Sequence, residues 1–218
     1  MRRRPSPVAA HPVTALERGI EVLTGRAPKA VERTRFERYL RLLVEWNRTH
    51  RLTAIRSAEG IVADLFVGSL LYLSCLPPGP IKVADLGTGP GIPGVPLRIV
   101  RDDIALTLVE SKRKRVSFLA ALKRELELSD LSILEGRAEE LVKTRSDLAG
   151  TFDVVVARAV GASILPIAMT YLRPGGLFLA GGPPDGAGKS DPSGIRRQSK
   201  AFDKLGLKRT FLLSQKPS

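Results

Sequence analysis

VADLGTGPGIPGVPLRIV, residues Val83 to Val100, is the stretch on which the reading of this chain turns. A short apolar run ends on an acid, Asp85. Gly87, Gly89 and Gly91 then alternate, Gly94 follows, and Pro90, Pro93 and Pro96 interrupt the same loop. In an open parallel sheet, ligands sit beyond the carboxyl ends of the strands, so a bare loop directly after a strand is the first place for a site. Glycine lets the backbone turn tightly and lets a ligand touch main chain without meeting a Cβ. Pro93 or Pro96 is suited to start the helix that follows, because a first helical turn does not need the missing N–H.

The string also satisfies G-x-G-x-x-G at Gly89, Gly91 and Gly94, the pattern of a dinucleotide loop. Asp85 argues against that use, since a carboxylate there repels a pyrophosphate. Pro90 and Pro93 also lack N–H groups that a phosphate would need. A nicotinamide-dependent oxidoreductase is therefore disfavoured. The next apolar run, IALTLVE, ends in Glu110, about twenty residues on, where an acid commonly accepts hydrogen bonds from ribose hydroxyls. Together these features ask for a nucleoside carrying an amine or a sulfonium in place of phosphates. S-adenosylmethionine answers that description.

Working outward, the pattern changes at Pro80. Before it, Val13–Leu23, Val31–Trp46 and Ala58–Leu73 read as helices. In the second, Phe36, Tyr39, Leu40, Leu43 and Val44 fall at helical spacing. After it, short apolar runs alternate with amphipathic stretches: IKVADL, IALTLVE, LSILEG, FDVVVA and GLFLAGG. Strand–helix repetition with buried apolar strands predicts an α/β fold, a parallel sheet covered on both faces. The helices between are expected at Val95–Val100, Lys112–Leu128, Ala138–Asp147 and Ala162–Leu172. A loop at Gly182–Gly194, a helix near Ile195–Leu205 and a strand near Leu207–Leu213 are expected to close the chain. The organisation expected is a disordered basic arm at 1–12, a helical N-terminal extension at 13–79 and the α/β core at 80–218.

The 218 residues carry a net charge of +13, and such a field attracts polyanions, nucleic acid first. No apolar run approaches the ~20 residues of a membrane span. One cysteine, Cys75, excludes an intrachain disulfide and a cysteine zinc cluster, and two histidines make a histidine metal site unexpected. No metal is expected, and the cysteine usage fits a reducing cytoplasm. Lys112, Arg113, Lys114 and Arg115 open a helix, where cations oppose the helix dipole; phosphate contact is the functional reason offered for them. An arginine directly after FDVVVA, Arg158, falls at the same sheet edge as the glycine loop.

The chain resembles the RsmG (GidB) family of small-subunit rRNA methyltransferases over about Val31 to Gly181. The likeness rests on YLRLLVEWNRTHRLTAIR, VADLGTGPGIPGVPLRIV, LVESKRKRVSFL, the GRAEEL stretch and FDVVVARAV. It implies a Rossmann-like class I methyltransferase sheet and S-adenosylmethionine as cofactor. The reaction implied is methyl transfer to guanine N7 of 16S rRNA, on naked RNA or the small ribosomal subunit. Carried over residue by residue, it places Gly87, Gly89 and Ile92 on the cofactor, beside Asp85 and Gly91 of the same loop. Glu110 takes the ribose, and Ala138 and Glu139 lie near the adenine. Arg158 faces cofactor and target base, as the one catalytic residue expected. Asn47 and Arg48, with the 112–115 cluster, are expected to touch RNA. A monomer without membrane attachment is expected.

The chain also departs from that pattern. Arg51 stands where the family usually has Asn, Leu65 and Gly68 where it has His and Asp, and Gly181 where it has Lys. The last edge strand is expected to be missing. These departures leave a second reading, a non-catalytic RNA- or ribosome-binding relative.

Overall fold

A computed structural model describes residues 12–158, 164–181 and 195–217. The basic arm expected at 1–12, save Pro12, and the loop at 182–194 lie outside them. Three helices come first: α1 (Pro12–Thr24), α2 (Ala30–His50) and α3 (Ala58–Cys75). Then follow β1 (Ile81–Leu86), α4 (Gly94–Val100), β2 (Ile104–Glu110), α5 (Arg113–Glu125), β3 (Ser132–Glu135), α6 (Ala138–Thr144), β4 (Phe152–Arg158), α7 (Leu165–Tyr171), β5 (Leu172–Gly181), β6 (Arg196–Phe202) and β7 (Leu207–Gln215).

The strands form one sheet of order β3-β2-β1-β4-β5-β7-β6. The first five are parallel, while β7 runs antiparallel to β5 and β6 antiparallel to β7. Alternate residues serve opposite faces, as strand geometry requires. Val83, Val154, Val156 and Phe211 join the core beneath α1–α5, while Ala84, Leu86, Val155 and Phe178 join the core beneath α6 and α7. The α/β reading is correct, with helices on both faces.

The expected helix near Ile195–Leu205 is instead the strand β6, and the expected loss of an edge strand is overturned with it. Arg196–Phe202 pairs residue for residue with Leu207–Leu213 of β7. The local composition, RRQSKAF, favours a helix, but β7 offers a full row of backbone partners. Sheet pairing overrides so weak a preference.

The N-terminal helices share a core with the sheet. Phe66 of α3 stacks on Tyr39 and Phe36 of α2 at ring distances of 4.7 and 5.3 Å, and the same cluster holds Val95, Leu106 and Leu119. Trp46 meets Phe118 of α5 edge-on at 5.6 Å. Arg35 and Arg38 of α2 donate to the carbonyls of Leu126 and Glu125, which the end of α5 leaves without helical partners. The helix α3 is not uniform. It widens to a π-helix over Ile61–Val67 and tightens to a 3-10 turn over Leu71–Cys75. Its 18 residues are long and apolar enough to cross a membrane, yet Ile61, Phe66, Leu70 and Tyr72 are fully buried in the protein.

Candidate cofactor and nucleic-acid site

The loop between β1 and α4 adopts backbone that favours glycine. Gly87, Gly89 and Gly91 have φ of 69°, 61° and 96°. The three serve different ends. Gly87 and Thr88 donate N–H bonds to the Val109 carbonyl, which ties the loop to β2. A Cβ on Gly89 would have only Arg115 Nη1 within 4 Å, so this glycine faces open space. A Cβ on Gly91 would lie 2.9 Å from the Tyr39 hydroxyl, and Ile92 is buried in the core; both residues look inward. Tyr39 donates to the Pro90 carbonyl at 2.5 Å, so α2 of the N-terminal extension holds the loop from below.

Asp85 is completely buried. Its Oδ2 accepts from Thr88 Oγ1 at 2.7 Å and from Gly94 N–H at 2.8 Å, and its Oδ1 is buried without a partner. Burial pushes this carboxyl up to about 7; the Thr88 and Gly94 hydrogen bonds oppose the rise, and the Glu110 charge adds to it. Asp85 therefore lies beneath the loop and shapes it. A Cβ on Gly94 would stand 2.8 Å from Asp85 Oδ2, which explains a glycine at the start of α4.

Glu110 ends β2 and is also buried. Oε2 accepts from Gly89 N–H and Oε1 from Lys112 N–H, both at 2.9 Å, while Arg115 Nη1 stands 3.5 Å away. The carboxylate thus lies against the Gly89 backbone, with Arg115 beside both. Ala138, buried, and Glu139, half-buried, begin α6 just beyond β3, the neighbour of β2.

Arg158 ends β4, beside β1, at the same carboxyl edge. Burial lowers its pKa from the usual arginine value, the nearby Arg209 adds to that effect, and the Tyr72 and Asp64 side chains oppose it. Two of the positions expected to depart from the family pattern, Gly68 and Gly181, converge here. A Cβ on Gly68 would touch Arg209 and Arg158, and one on Gly181 would collide with the Tyr72 hydroxyl. Tyr72 itself donates to the Ala157 carbonyl at 2.9 Å. Leu65 is buried in the core.

The expected RNA contacts divide. Lys112, Arg113 and Lys114 are exposed, and Arg115 is half-buried beside Glu110. Arg48 is exposed and lines a groove of about 790 Å³ with Arg51 and Arg56. Asn47 is engaged inside the chain: its Nδ2 donates to the Ile55 carbonyl at 3.1 Å and its Oδ1 accepts from Thr53 N–H at 2.9 Å. The amide closes the turn after α2, and Arg48, Arg51 and Arg56 supply the positive charge there. Sequence reasoning missed Arg209 and Tyr72. The two-residue period of LKRTFLL, which sets Arg209 on the face of buried Phe211, is the signal that points to the arginine.

Residues 32–212 match the family model described as rRNA small subunit methyltransferase G, also called GidB. The chain belongs to this family. It is 40% identical over 168 residues to the ribosomal RNA small subunit methyltransferase G of Xanthomonas euvesicatoria, covering 76% of this chain and 74% of that one. It is 41% identical over 148 residues to that of Caldanaerobacter subterraneus, covering 66% and 62%. Among solved structures, a mutant of MtNAS superposes with a TM-score of 0.56 at 13% identity, over 86% of this chain and 76% of that one. A candidate caffeoyl-CoA O-methyltransferase from Staphylococcus aureus gives 0.52 at 15%, over 81% and 91%. The structural likeness establishes the fold, a Rossmann-like methyltransferase sheet, and the sequence matches establish the GidB family.

Proposed function

We propose that the protein transfers the methyl group of S-adenosylmethionine to guanine N7 of 16S rRNA in the small ribosomal subunit. The observation that carries this reading is the meeting of three features at one sheet edge in a member of the GidB family: open Gly89, the buried Glu110 carboxylate beside it, and Arg158 two strands away. The donor set fits the cofactor. Gly89 leaves room for a nucleoside against main chain, and Glu110 keeps lone pairs free for ribose hydroxyls. Ala138 and Glu139 stand where the adenine would lie. Asp85, closed beneath, holds the loop in shape, and Gly87, Gly91 and Ile92 give it its course.

When bound, S-adenosylmethionine supplies an electrophilic methyl group on a sulfonium. Guanine N7 offers a lone pair and has no proton to lose, so the chain needs no general base. What its residues must do is orient and exclude, which by itself supplies large rate factors. Arg158, at the same edge, faces the cofactor and the target base and is the residue assigned to orient them. Exposed Lys112, Arg113 and Lys114, together with Arg48, Arg51 and Arg56, give the RNA backbone its cationic contacts. Val31 and Leu207 are the exposed large hydrophobics among the described residues, too few for an apolar interface, which supports a monomer.

The test is transfer of labelled methyl from S-adenosylmethionine to small subunits that lack the modification, with Arg158→Ala as control. Label at guanine N7 that vanishes in the control is the expected result. Intact cofactor binding with no label in the unaltered protein would replace the enzyme by a binding protein on the same fold.

A further inference from the structure

Two guanidinium groups meet over a glycine at the edge of the cleft. Arg158 at the end of β4 pairs with Gly181 of β5, and Gly181 pairs with Phe211 of β7, two residues after Arg209. The ladder thus delivers both arginines to one rim. There α3 presents Gly68 to them: a Cβ on Gly68 would lie 3.2 Å from Arg209 Nη2 and 3.5 Å from Arg158 Nη1. Among the described residues, neither guanidinium has a salt-bridge or hydrogen-bond partner, and Arg158 Nη1 and Arg209 Nε are buried without an acceptor. Lys200 faces Arg209 across the β6–β7 ladder and donates its own Nζ to the Ser74 carbonyl at 2.5 Å, so it adds charge without relieving the pair. The acid felt by Arg158 is Asp64, exposed and one helical turn before Gly68.

Such a pair is costly as it stands. Like charges repel, and a buried N–H without an acceptor has lost its hydration with no hydrogen bond in return. Packing does not require it, because Tyr72 and Phe211 already fill this face, edge to face at 5.2 Å. Gly68 has helical backbone, φ −57° and ψ −30°, so its conformation does not require a glycine. What the glycine does is let two arginine forks approach the α3 backbone side by side, and paired forks are the donor geometry that matches an oxyanion.

We propose that Arg158 and Arg209 form an oxyanion site over Gly68, filled by a phosphodiester of the RNA substrate. The oxyanion chemistry stands on the geometry alone; the source rests on the rRNA methyltransferase reading. The cofactor's own carboxylate shares that chemistry. Arg209 is four strands from Glu110 in the sheet, about 19 Å at ordinary strand spacing, which places it toward the RNA and away from a nucleoside held at Glu110.

The first measurement is thermal stability of the full chain against added inorganic phosphate, with chloride holding ionic strength constant. Phosphate is expected to raise the Tm of the unaltered protein. Arg209→Gln should lose that rise, and Arg209→Lys should keep part of it. Gly68→Asp should raise the Tm without phosphate and abolish the response, because an internal carboxylate then takes the site. An equal phosphate response in the unaltered protein and Arg209→Gln overturns the site, whatever the methyl-transfer result. The second measurement finds the source. For a phosphodiester, Arg209→Gln makes the slope of log binding constant for 16S rRNA against log salt shallower by about 0.7–0.9, with cofactor affinity unchanged. A fall in cofactor affinity with an unchanged slope overturns the phosphodiester and assigns the carboxylate.

Discussion

On the β1–β2 side of the cleft, Asp85 and Glu110 accept from the chain's own donors, Thr88, Gly94, Gly89 and Lys112, whereas on the β4–β7 side Arg158 and Arg209 have no hydrogen-bond or salt-bridge partner among the described residues. The first region is closed on itself and its shape is set before anything binds. The second is left with charge in excess. The difference separates two kinds of preparation: a loop whose geometry is fixed in advance, and a rim whose electrostatics are completed from outside.

Four experiments break or sharpen that contrast. The largest effect is expected on the charged side. Arg158→Ala should lower the rate of methyl transfer by about 100- to 1000-fold, the range for removing one preorganised donor from a reacting site, with cofactor affinity read separately by calorimetry. A loss in cofactor affinity of the same size would mean that Arg158 belongs to the closed side after all.

On the closed side, Asp85 gives a pH signature. Its carboxyl titrates at about 7 in the folded chain against 3.8 in the unfolded one. The folded state therefore holds the extra proton between these values, so stability from this group is greatest near pH 4 and falls as pH rises to about 7. At ~1.36 kcal/mol per pKa unit the change is on the order of a few kcal/mol. Asp85→Asn should flatten that part of the profile in denaturant titrations run between pH 4 and 8.

Gly94→Ala tests the packing that Asp85 needs. The new methyl would meet Asp85 Oδ2 at 2.8 Å and Leu106 and Leu108 at 3.1 Å, and overpacking of this kind costs about 1–3 kcal/mol. A fall in the denaturant midpoint without a change in slope checks it. The smallest effect is expected at the surface. Replacing Lys112 and Arg113 with alanine should move stability by less than ~0.5 kcal/mol, yet make the salt slope of rRNA binding shallower by about 0.7–0.9 for each RNA phosphate that is no longer neutralised.

Legibility in the sequence follows the same division. The closed side could be read directly, because an acid near the end of a strand, a loop of alternating glycines and a strand ending in Glu110 are local patterns. The finer roles could not. Gly91 and Ile92 turn inward because Tyr39, far away in the chain, lies beneath them, and Asn47 is consumed by a turn that only the folded backbone reveals. The rim at β4–β7 was legible at Arg158 alone. Arg209 acquires its neighbour through the register of β7 on β5, a pairing between strands far apart in the chain.

The hairpin of β6 and β7 also bears on how the molecule lives at high concentration. An edge strand offers unpaired N–H and C=O groups to any passing strand, and unprotected edges seed fibres. Here one border of the sheet is β3, only four residues long, and the other is β6, which exposes Arg196 and Arg197 to solvent. Brevity guards one side and repulsion the other. A chain that must stay dispersed until it finds a large polyanion thus has its sheet borders closed to copies of itself by the same sign of charge that would draw it to that target.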